Sequence, residues 1–430
     1  MLREAVDRVL PGGWHRLAPV MSAAHWLWRA AGDSLNVLAY STGIFSLAFA
    51  VFSAIASVFF LRRLKRSAAA KSSGDFTPSV AILKPIKGLD RRLYENLASF
   101  FRQNYPGYRI YFTLGNEADP ARPVIERVCR DFPDIPSEII VSKKSPGCNP
   151  KINSLAGAED RLEADMIIMA DSDIRVAPDF IRRCVAPFRD PDVGLASCFY
   201  RIAAPSNPWE RLEALSVNCQ FLPQALAAAS FGMTFAMGAA IAVRAEAFRK
   251  IGGFKSLSNH LAEDFLLGRL IEGAGYTVAF SSSAIESVPH LARFSDYLRH
   301  QERWARTIRL CQPSGYLGTF LLQGVSLLTL KIALLGASLP ATALAGAVLL
   351  AKAAGTSMLS VAAFDSPPSL KTLFLLPLGE WMGFYAWFQG WKSTPVVWRG
   401  NSYEIGTHGR LLPSADDSLG ASRGIAAVKL

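Results

Sequence analysis

The sequence predicts an α/β domain with a mainly parallel sheet, flanked on both sides by membrane-spanning helices. Between residues 78 and 311, short apolar runs alternate with amphipathic stretches, as in βαβ units around a parallel sheet. Long apolar segments lie before and after this region, half of the residues are hydrophobic, and the mean hydropathy is +0.21. That hydropathy is high for a soluble enzyme, so the composition favours a globular domain attached to membrane segments.

The net charge of +11 does not indicate nucleic acid as a partner. Basic residues crowd the flanks of apolar segments, as in the run at 62–66, and no RNA- or DNA-binding motif is present. This placement is typical of the cytoplasmic face of a membrane. The six cysteines include no C-x-x-C pair, so we expect free thiols in a reducing compartment rather than a zinc site or a disulfide framework.

The first 77 residues predict an extension, one membrane helix and a basic linker. Residues 1–36 are mixed in character and unlike a signal peptide, because the apolar segment begins too late. Residues 37–61 contain no charge and are long enough to cross a bilayer, which needs about 20 apolar residues. The basic run that opens the linker at 62–77 predicts that this end of the helix faces the cytoplasm.

Within the α/β region, from 78 to 311, strands and helices follow from the apolar pattern. The predicted strands are 80–83, 109–114, 139–141, 166–170 and 193–199. The predicted helices are 91–103, 121–131, 151–162, 178–187, 209–231, 261–272 and 294–311. The long 209–231 helix is rich in Ala and Leu; its Phe221, Leu222 and Phe231 could contact a lipid, although ordinary core packing explains such an apolar stripe more simply.

Residues 312–391 predict two or three further membrane segments, followed by a cytoplasmic tail at 392–430. Three apolar stretches, each with one charged residue, are candidates: 316–338 with Lys331, 339–364 with Lys352 and 372–391 with Glu380. Three full spans would put the tail outside, whereas its basic residues favour the cytoplasm. We therefore expect one of the three segments to be interfacial or re-entrant.

Two carboxylates follow the apolar strand at 166–170. Strand ends in open α/β sheets are where ligands bind, and alternation would put Asp171 and Asp173 on the same side of an extended chain. Such a pair suits a hard cation, Mg²⁺ or Mn²⁺, carrying a phosphate-bearing ligand. The same pattern also occurs on solvated loops, so the pair does not by itself decide between the two interpretations.

Two further stretches place polar residues where a strand ends or a helix begins. Lys84, Pro85 and Asp90 lie in a strand end and turn that could hold a nucleoside or simply join two elements. Lys151 and Asn153 open a helix, where a lysine opposes the helix dipole unless an anion lies nearby or solvent screens it.

Later in the chain, acids and then bases open two more helices. Glu263 and Asp264 begin an otherwise apolar helix, where they either stabilise the dipole or supply a general base. His300, Arg303 and Trp304 lie on a basic, aromatic helix just before the membrane segments. That helix could be part of an interfacial belt or could neutralise a departing diphosphate.

As an ordered set, these motifs resemble the ceramide glucosyltransferase family, which includes bacterial hopanoid-associated glycosyltransferases. The matching stretches are Lys84-Pro-Ile-Lys-Gly-Leu-Asp90, Tyr105-Pro-Gly-Tyr108, Asn149-Pro-Lys-Ile-Asn153, Asp171-Ser-Asp-Ile-Arg-Val176, Gly252-Gly253, Ala262-Glu-Asp264, Arg303-Trp304 and Trp398-Arg-Gly400 with Tyr403. The similarity is strong over residues 78–311, whereas the membrane segments match in arrangement. More distantly, the aspartates and the Arg-Trp pair resemble processive polysaccharide synthases.

The resemblance implies a GT-A type catalytic domain (Rossmann-like) on the cytoplasmic face of a multi-pass membrane protein, in bacteria the inner membrane. It implies a UDP-sugar donor, UDP-glucose or UDP-N-acetylglucosamine, and a membrane lipid acceptor such as ceramide or a hopanoid polyol. One sugar would be transferred with inversion at the anomeric carbon.

The resemblance also implies roles at the donor end of the site. Asp90 would lie at the nucleoside, and Asp171 with Asp173 at the diphosphate and its Mg²⁺ or Mn²⁺. Further donor-binding candidates are Lys84, Pro85, Lys151, Asn153, Glu263 and His300.

At the reacting end, Asp264 would be the base, and Arg303 with Trp304 would line the diphosphate or the acceptor. His300 departs from the family pattern, in which Gln or Arg usually stands at that place. A histidine there can still donate a hydrogen bond to a phosphate.

Two other interpretations stay open at this stage. A processive polysaccharide synthase would share the aspartates and the Arg-Trp pair, but it calls for more C-terminal spans and a complete Gln-x-x-Arg-Trp motif. A non-catalytic scaffold or transport subunit would place charges at the membrane midplane within inverted repeats. Here the acids cluster in the α/β region and the sequence shows no repeat.

Overall fold

The computed structural model describes residues 13–71, 76–392, 396–398, 401–406 and 409–413. Parts of the predicted extension (1–12), linker (72–75) and tail (393–395, 399–400, 407–408 and 414–430) lie outside the described residues. The chain divides into two compact units. One contains the chain up to residue 51 together with 318–352, and the other contains 52–317 together with the chain from residue 353 onward.

The first helix is much longer than the predicted span and runs from Gly13–Lys71 without a break. The predicted extension is therefore helical from residue 13, and the predicted linker is helical as far as residue 71. Basic residues near the end of a helix are favoured by its dipole, and the run of alanines at 68–70 has the highest helix propensity. Its stretch His25–Ser67 is long and apolar enough to cross a membrane.

After residue 312, the helices are Pro313–Gly318, Gly324–Leu335, Leu339–Phe364, Leu370–Leu373 and Leu376–Gln389, with a 3₁₀ turn at Thr319–Leu322. Among the described residues, Leu339–Phe364 is the second helix that could span a membrane, and the pair Pro313–Leu322 and Gly324–Leu335, bent by 48°, is a possible third.

The candidate segment at 372–391 does not form one long helix. Pro377 starts a new helix, Leu376–Gln389, which has 14 residues and is therefore about 21 Å long, too short for a bilayer core of about 30 Å.

In the unit that contains residues 318–352, the helices approach closely through small residues. A Cβ atom on Gly324 would lie 2.7 Å from the Cα atom of Gly43, and the Gly324 N–H donates to Ser46 Oγ over 3.1 Å. Lys331, the charge inside the predicted segment, is buried and donates from Nζ to the Gly336 carbonyl and to Ser338 Oγ. Its ammonium group therefore has hydrogen-bond partners within the helix end itself.

The other unit is built around an eight-stranded sheet. Its strands are β1 (Val80–Ile86), β2 (Tyr108–Leu114), β3 (Ser137–Val141), β4 (Met166–Ala170), β5 (Ile174–Arg175), β6 (Val193–Ile202), β7 (Ala240–Arg244) and β8 (Thr277–Ser287). Their order is β3-β2-β1-β4-β7-β6-β8-β5, and four of the seven neighbouring pairs are parallel. The mainly parallel α/β prediction is confirmed.

Both faces of the sheet are covered. Val80 and Ile82 pack in one apolar cluster, while Ala81 and Leu83 pack in another, because neighbouring residues of a strand point to opposite faces. The helices of this region are Leu93–Phe101, Arg122–Asp131, Pro150–Ala156, Phe180–Val185, Pro208–Leu215, Leu222–Ser230, Ala245–Lys250, Glu263–Gly273 and Phe294–Cys311. A π-helix, Ser216–Phe221, joins Pro208–Leu215 to Leu222–Ser230, so the predicted 209–231 helix is nearly continuous.

The prediction that Asp171 and Asp173 lie on one extended segment is wrong. The chain turns at this point, and the Ile174 N–H donates to the Asp171 carbonyl over 3.3 Å. The turn forms because β5 leaves the line of β4 and pairs with β8 at the far edge of the sheet. The sequence-based interpretation also missed β5, β7 and β8.

Candidate active site

The strand order brings two of the predicted motifs together. β1 and β4 are parallel neighbours, with Val80 opposite Met166 and Leu83 opposite Met169. Their carboxyl ends therefore meet at the same edge of the sheet, where open α/β sheets bind ligands. β7 runs antiparallel on the other side of β4, so its start also lies at this edge.

Lys84 is the most deeply buried charge of the site. Its side chain is fully buried on β1, its Nζ donates to the Asp171 carbonyl, and it lies 3.9 Å from the centre of the Phe100 ring. Burial lowers the Lys84 pKa to about 7, although Asp173, Asp171 and Asp90 oppose this shift. Lys84 therefore fixes the backbone of the turn at residues 171–174, which we call the aspartate turn. The neighbouring Pro85 is a buried residue of the same strand.

Two hydroxyl groups hold Asp90 and Asp173, two carboxylates in this part of the site. Ser172 Oγ donates to Asp90 over 2.5 Å, and Ser287 Oγ donates to Asp173 over 2.6 Å. Burial, with the charges of Asp171 and Asp90, raises the pKa of Asp173 to about 6. Burial is the main cause of this shift, and the neighbouring carboxylates add to it.

The two carboxylates of the aspartate turn, Asp171 and Asp173, fit a divalent cation only in part. Carboxylate oxygens are the ligands that Mg²⁺ prefers, and Asp171 and Asp173 supply them. Within the described ranges, no group of three or more His, Cys, Asp or Glu side chains is arranged to hold a metal ion. The residues present therefore suit a metal that takes its remaining oxygen ligands from a bound diphosphate.

Lys151 links the aspartate turn to the acid helix, Glu263–Gly273. Its Nζ lies 2.8 Å from Asp171 Oδ1 and 3.0 Å from Glu263 Oε1, and its side chain is only 11% exposed. Burial alone would lower the Lys151 pKa, but the two carboxylates outweigh burial and hold it well above its usual range. The anion expected beside this lysine is thus supplied by the protein's own carboxylates.

Asn149 completes this link; the sequence analysis included it in a matching motif but gave it no role of its own. Its buried Oδ1 accepts from the N–H groups of Lys151 and Ile152, which caps the helix Pro150–Ala156. Its Nδ2 donates to the His260 carbonyl over 2.8 Å and to Glu263 Oε2 over 3.3 Å. The sequence signal for this capping role was an Asn directly before a Pro at the first position of the helix.

Asp264 lies at the start of the acid helix, against Gly238 at the approach to β7. A Cβ atom on Gly238 would lie 2.9 Å from Asp264 Oδ2, so glycine leaves the space that this carboxylate occupies. The Asp264 pKa is raised to about 6, mainly by burial and secondly by the charge of Glu263. Lys151 and the N–H of Phe265 lower it by smaller amounts. Asp264 is thus a partly buried carboxylate whose pKa is raised to about 6.

His300, Arg303 and Trp304 lie on the helix Phe294–Cys311, as predicted. His300 Nδ1 is 2.9 Å from Oε1 of the buried Glu213, whose other oxygen accepts from Gln301 Nε2 over 2.7 Å. Glu213, which the sequence analysis did not single out, therefore orients this part of the helix.

Trp304 packs against the other aromatic side chains of this region. Its ring lies edge-on to Phe221, with a centroid distance of 5.6 Å, and edge-on to Tyr200 at 6.5 Å. The partly buried Arg303 lies on the same turn of the helix.

Asn153 supports a loop in the structure. Its Nδ2 donates to the Gly147 carbonyl over 2.8 Å and to Ser145 Oγ over 3.2 Å, and its Oδ1 accepts from the Gly147 N–H. These contacts shape the loop that precedes Lys151. Its assignment to the donor stays a prediction.

The described part of the tail lies beside the acid helix. Strands β9 (Val396–Trp398), β10 (Asn401–Ile405) and β11 (Leu411–Pro413) form a small antiparallel sheet. The Leu261 N–H donates to the Gly409 carbonyl, the Leu411 N–H donates to the Asn259 carbonyl, and Leu261, Tyr403 and Leu411 share one apolar cluster.

A carboxylate-rich site at the carboxyl edge of an α/β sheet, in a chain with candidate membrane spans, is typical of a membrane-associated transferase. The chain belongs to glycosyl transferase family 21, whose family model matches residues 45–411. Membership confirms the predicted resemblance to the ceramide glucosyltransferase family and the enzyme class, glycosyltransferase. It also confirms, together with the observed sheet and helices, the predicted α/β fold of the GT-A type with membrane helices.

The relatives share part of their length with this chain. A ceramide glucosyltransferase 3 from Caenorhabditis elegans is 25% identical over 270 residues, 56% of each chain. A ceramide glucosyltransferase from Gibberella zeae is 32% identical over 154 residues, 34% of this chain and 28% of that protein. Among solved structures, mannosyltransferase PcManGT from Pyrobaculum calidifontis, in complex with GDP-Man and Mn²⁺, is 18% identical, with a TM-score of 0.45 over 81% of this chain and 97% of that one. The chain thus spans about half the length, or less, of these curated relatives.

We expect Lys151→Met to lower the free energy of unfolding by about 2 kcal/mol, because it leaves Asp171 and Glu263 without their shared cation. The value is below that of a fully buried pair, since the Asp171 side chain is 35% exposed. Denaturant unfolding of the purified protein in detergent measures it. The matched control is Lys144→Met, whose pair with Asp160 is more exposed and should contribute no more than about 1 kcal/mol. Equal losses in both variants would contradict a special role for the Lys151 bridge.

Proposed function

We propose that this protein transfers one sugar from a UDP-sugar, UDP-glucose or UDP-N-acetylglucosamine, to the hydroxyl group of a membrane lipid such as ceramide or a hopanoid polyol. Inversion at the anomeric carbon follows from a single displacement. Family membership supports the chemistry, since the family's relatives include proteins named ceramide glucosyltransferase. The observation on which the proposal depends is the Lys151 bridge, which joins the aspartate turn to the acid pair within one site.

Asp264 is the proposed base. A lipid hydroxyl is a poor nucleophile, and a carboxylate that removes its proton during attack on the sugar accelerates the reaction. The Asp264 pKa of about 6 leaves the group ionised at neutral pH while making it more basic than an exposed aspartate. Glu263, held by Lys151 and Asn149, is occupied by these contacts and has a positioning role.

The aspartate turn is the proposed site for the diphosphate. Asp173 and Asp171 would hold a divalent cation, Mg²⁺ or Mn²⁺, which when bound supplies positive charge to the leaving diphosphate. Lys84 holds the turn through the Asp171 carbonyl, and Asp90, which accepts from Ser172, is the proposed contact for the nucleoside. Arg303 adds positive charge from the helix Phe294–Cys311.

The lipid acceptor is expected to approach from an aromatic surface next to the first helix. Phe231 is 74% exposed and Met233 51% exposed, and the Phe231 ring stacks on Phe52 of the first helix with a centroid distance of 5.5 Å. Phe221, on the same chain segment, contacts Trp304. These apolar side chains suit the chain of a lipid whose hydroxyl reaches the site.

The proposed membrane arrangement follows the basic flanks of the spans. Residues 78–311 would form the catalytic domain, on the cytoplasmic face, and in a bacterium the membrane would be the inner one. The basic run at 62–66 supports this orientation.

The decisive test is expression in a host without the activity, followed by mass spectrometry of the extracted lipids. We expect a new lipid that carries one hexose or one N-acetylhexosamine; the added mass identifies the sugar and the remaining mass identifies the acceptor. A polymer would instead indicate a processive synthase. If no UDP-sugar binding is measured by calorimetry, a non-catalytic role would replace the proposal.

Asp264→Asn should lower the transfer rate by about 10²–10⁴-fold, because the amide cannot accept the proton. Folding and UDP-sugar binding should stay near wild type, since Asn keeps the shape of the side chain. The wild-type rate should rise as pH increases through about 6, where Asp264 loses its proton. Rates across pH, with Asp160→Asn as an exposed control, measure both effects. Near-normal activity of Asp264→Asn would assign the base elsewhere.

Removal of divalent cations should abolish transfer, and Mg²⁺ or Mn²⁺ should restore it. Asp173→Asn should raise the metal concentration needed for half-maximal activity, because the site loses one charged ligand. The exposed Asp134→Asn should leave that concentration unchanged. Full turnover after exhaustive chelation would argue against the metal role of both Asp171 and Asp173.

A further inference from the structure

A second site lies away from the reacting groups, at the ends of the two candidate spans. It is a cavity of about 620 Å³, within the range of about 300–1,000 Å³ common for ligand pockets. Its wall includes Lys65, near the end of the first helix, and Phe364, the last residue of Leu339–Phe364. Lys65 Nζ donates to the Ala362 carbonyl over 2.7 Å, which links the last turns of the first helix to the end of Leu339–Phe364.

The cavity is rich in positive charge. Five basic side chains line it, namely Lys65, Arg175, Arg182, Arg183 and Arg189, against the acids Asp179, Glu286 and Asp365. Two of these acids already have cationic partners: Asp179 lies 2.6 Å from Arg183, and Glu286 lies 2.5 Å from Arg201, which is outside the wall. Arg175, Arg182 and Arg189 line the cavity, and guanidinium groups match the oxygens of a phosphate in charge and geometry.

One wall residue has an unused hydrogen-bond donor. Arg175 Nη2 donates to Asn96 Oδ1 over 3.0 Å, whereas its buried Nε has no hydrogen-bond partner among the described residues. Buried donors of this kind are rare in folded proteins and call for an explanation such as a bound ion or ligand. The hydroxyl-bearing Ser282 and Ser283 line the same cavity.

Apolar side chains make the rest of the wall suitable for a lipid. Phe364 and Phe76 line the cavity, and each lies beneath an arginine: Arg201 is 4.3 Å from the centre of the Phe364 ring, and Arg189 is 5.4 Å from that of Phe76. Charged groups beside aromatic rings at the end of membrane helices match the headgroup level of a bilayer.

The cavity is separate from the candidate active site, although both use the β5–β8 pair. Arg175 is opposite Glu286 and Ile174 is opposite Ser287 in the antiparallel register. Adjacent residues point to opposite faces, so Glu286 faces the cavity while Ser287 donates to Asp173 on the other face.

We propose that this cavity binds the phosphate group of an anionic phospholipid, with the headgroup held by Arg175, Arg182 and Arg189. The position at the ends of two membrane helices favours a lipid over a soluble phosphate as the source of this group. The site is distinct from the sugar donor and from the lipid that accepts the sugar.

The test is lipid retention by the full-length protein in nonionic detergent, measured by native mass spectrometry. We expect one molecule of phosphatidylglycerol to stay bound, whereas phosphatidylcholine should be retained much less. Arg182→Gln with Arg189→Gln should weaken phosphatidylglycerol retention by at least about tenfold, since each basic residue contributes to binding an anionic headgroup. The single Arg182→Gln variant, at an exposed position, gives a smaller loss with the least effect on folding.

The matched control is Arg127→Gln with Arg130→Gln, which removes the same charge from an exposed helix outside the cavity. Retention should stay at the wild-type value in this control. Equal loss in both double variants would show a non-specific charge effect and overturn the proposal. Binding of inorganic phosphate without lipid retention would overturn the lipid as the source. Unchanged retention in both cavity variants would overturn the site itself.

Discussion

The candidate active site depends on one buried lysine shared by two carboxylates. Lys151 contacts Asp171, at the end of β4, and Glu263, at the start of the acid helix. These two carboxylates are more than 90 positions apart in the chain. Breaking a buried pair costs far more than making it gains, so the bridge constrains geometry more than it adds stability. Asn149 places the lysine by capping its helix, which means that one turn of helix fixes the distance between the proposed diphosphate and the proposed base.

Much of the fold could be predicted because long periodic segments leave little choice. The strand at Met166–Ala170 and the helix at Phe294–Cys311 have the bounds that their apolar patterns predict. β5 has only two residues and is defined by its pairing with β8, which no local pattern reveals. The turn at Asp171 was missed for the same reason, since a distant partner strand decides where the chain leaves β4.

The site itself was predictable in its residues but not in their connections. The sequence left open whether an anion or solvent lies beside Lys151, and it could not show that Asp171 and Glu263 supply the negative charge. Gly238 and Glu213 had no local signal at all, because their importance lies in the space left for Asp264 and in the contact with His300. Contacts between distant segments depend on the assembled sheet, and a single sequence records them only as separate motifs.

The small sheet of β9, β10 and β11 affects when the candidate active site can finish folding during synthesis. Its contacts with Asn259 and Leu261 support the segment that leads directly into Glu263. A ribosome completes these strands only after Leu339–Phe364 and Leu376–Gln389 have been made. The neighbourhood of the proposed base is therefore finished after the candidate spans have left the ribosome, which delays a fully formed site until the chain has had the opportunity to enter its membrane.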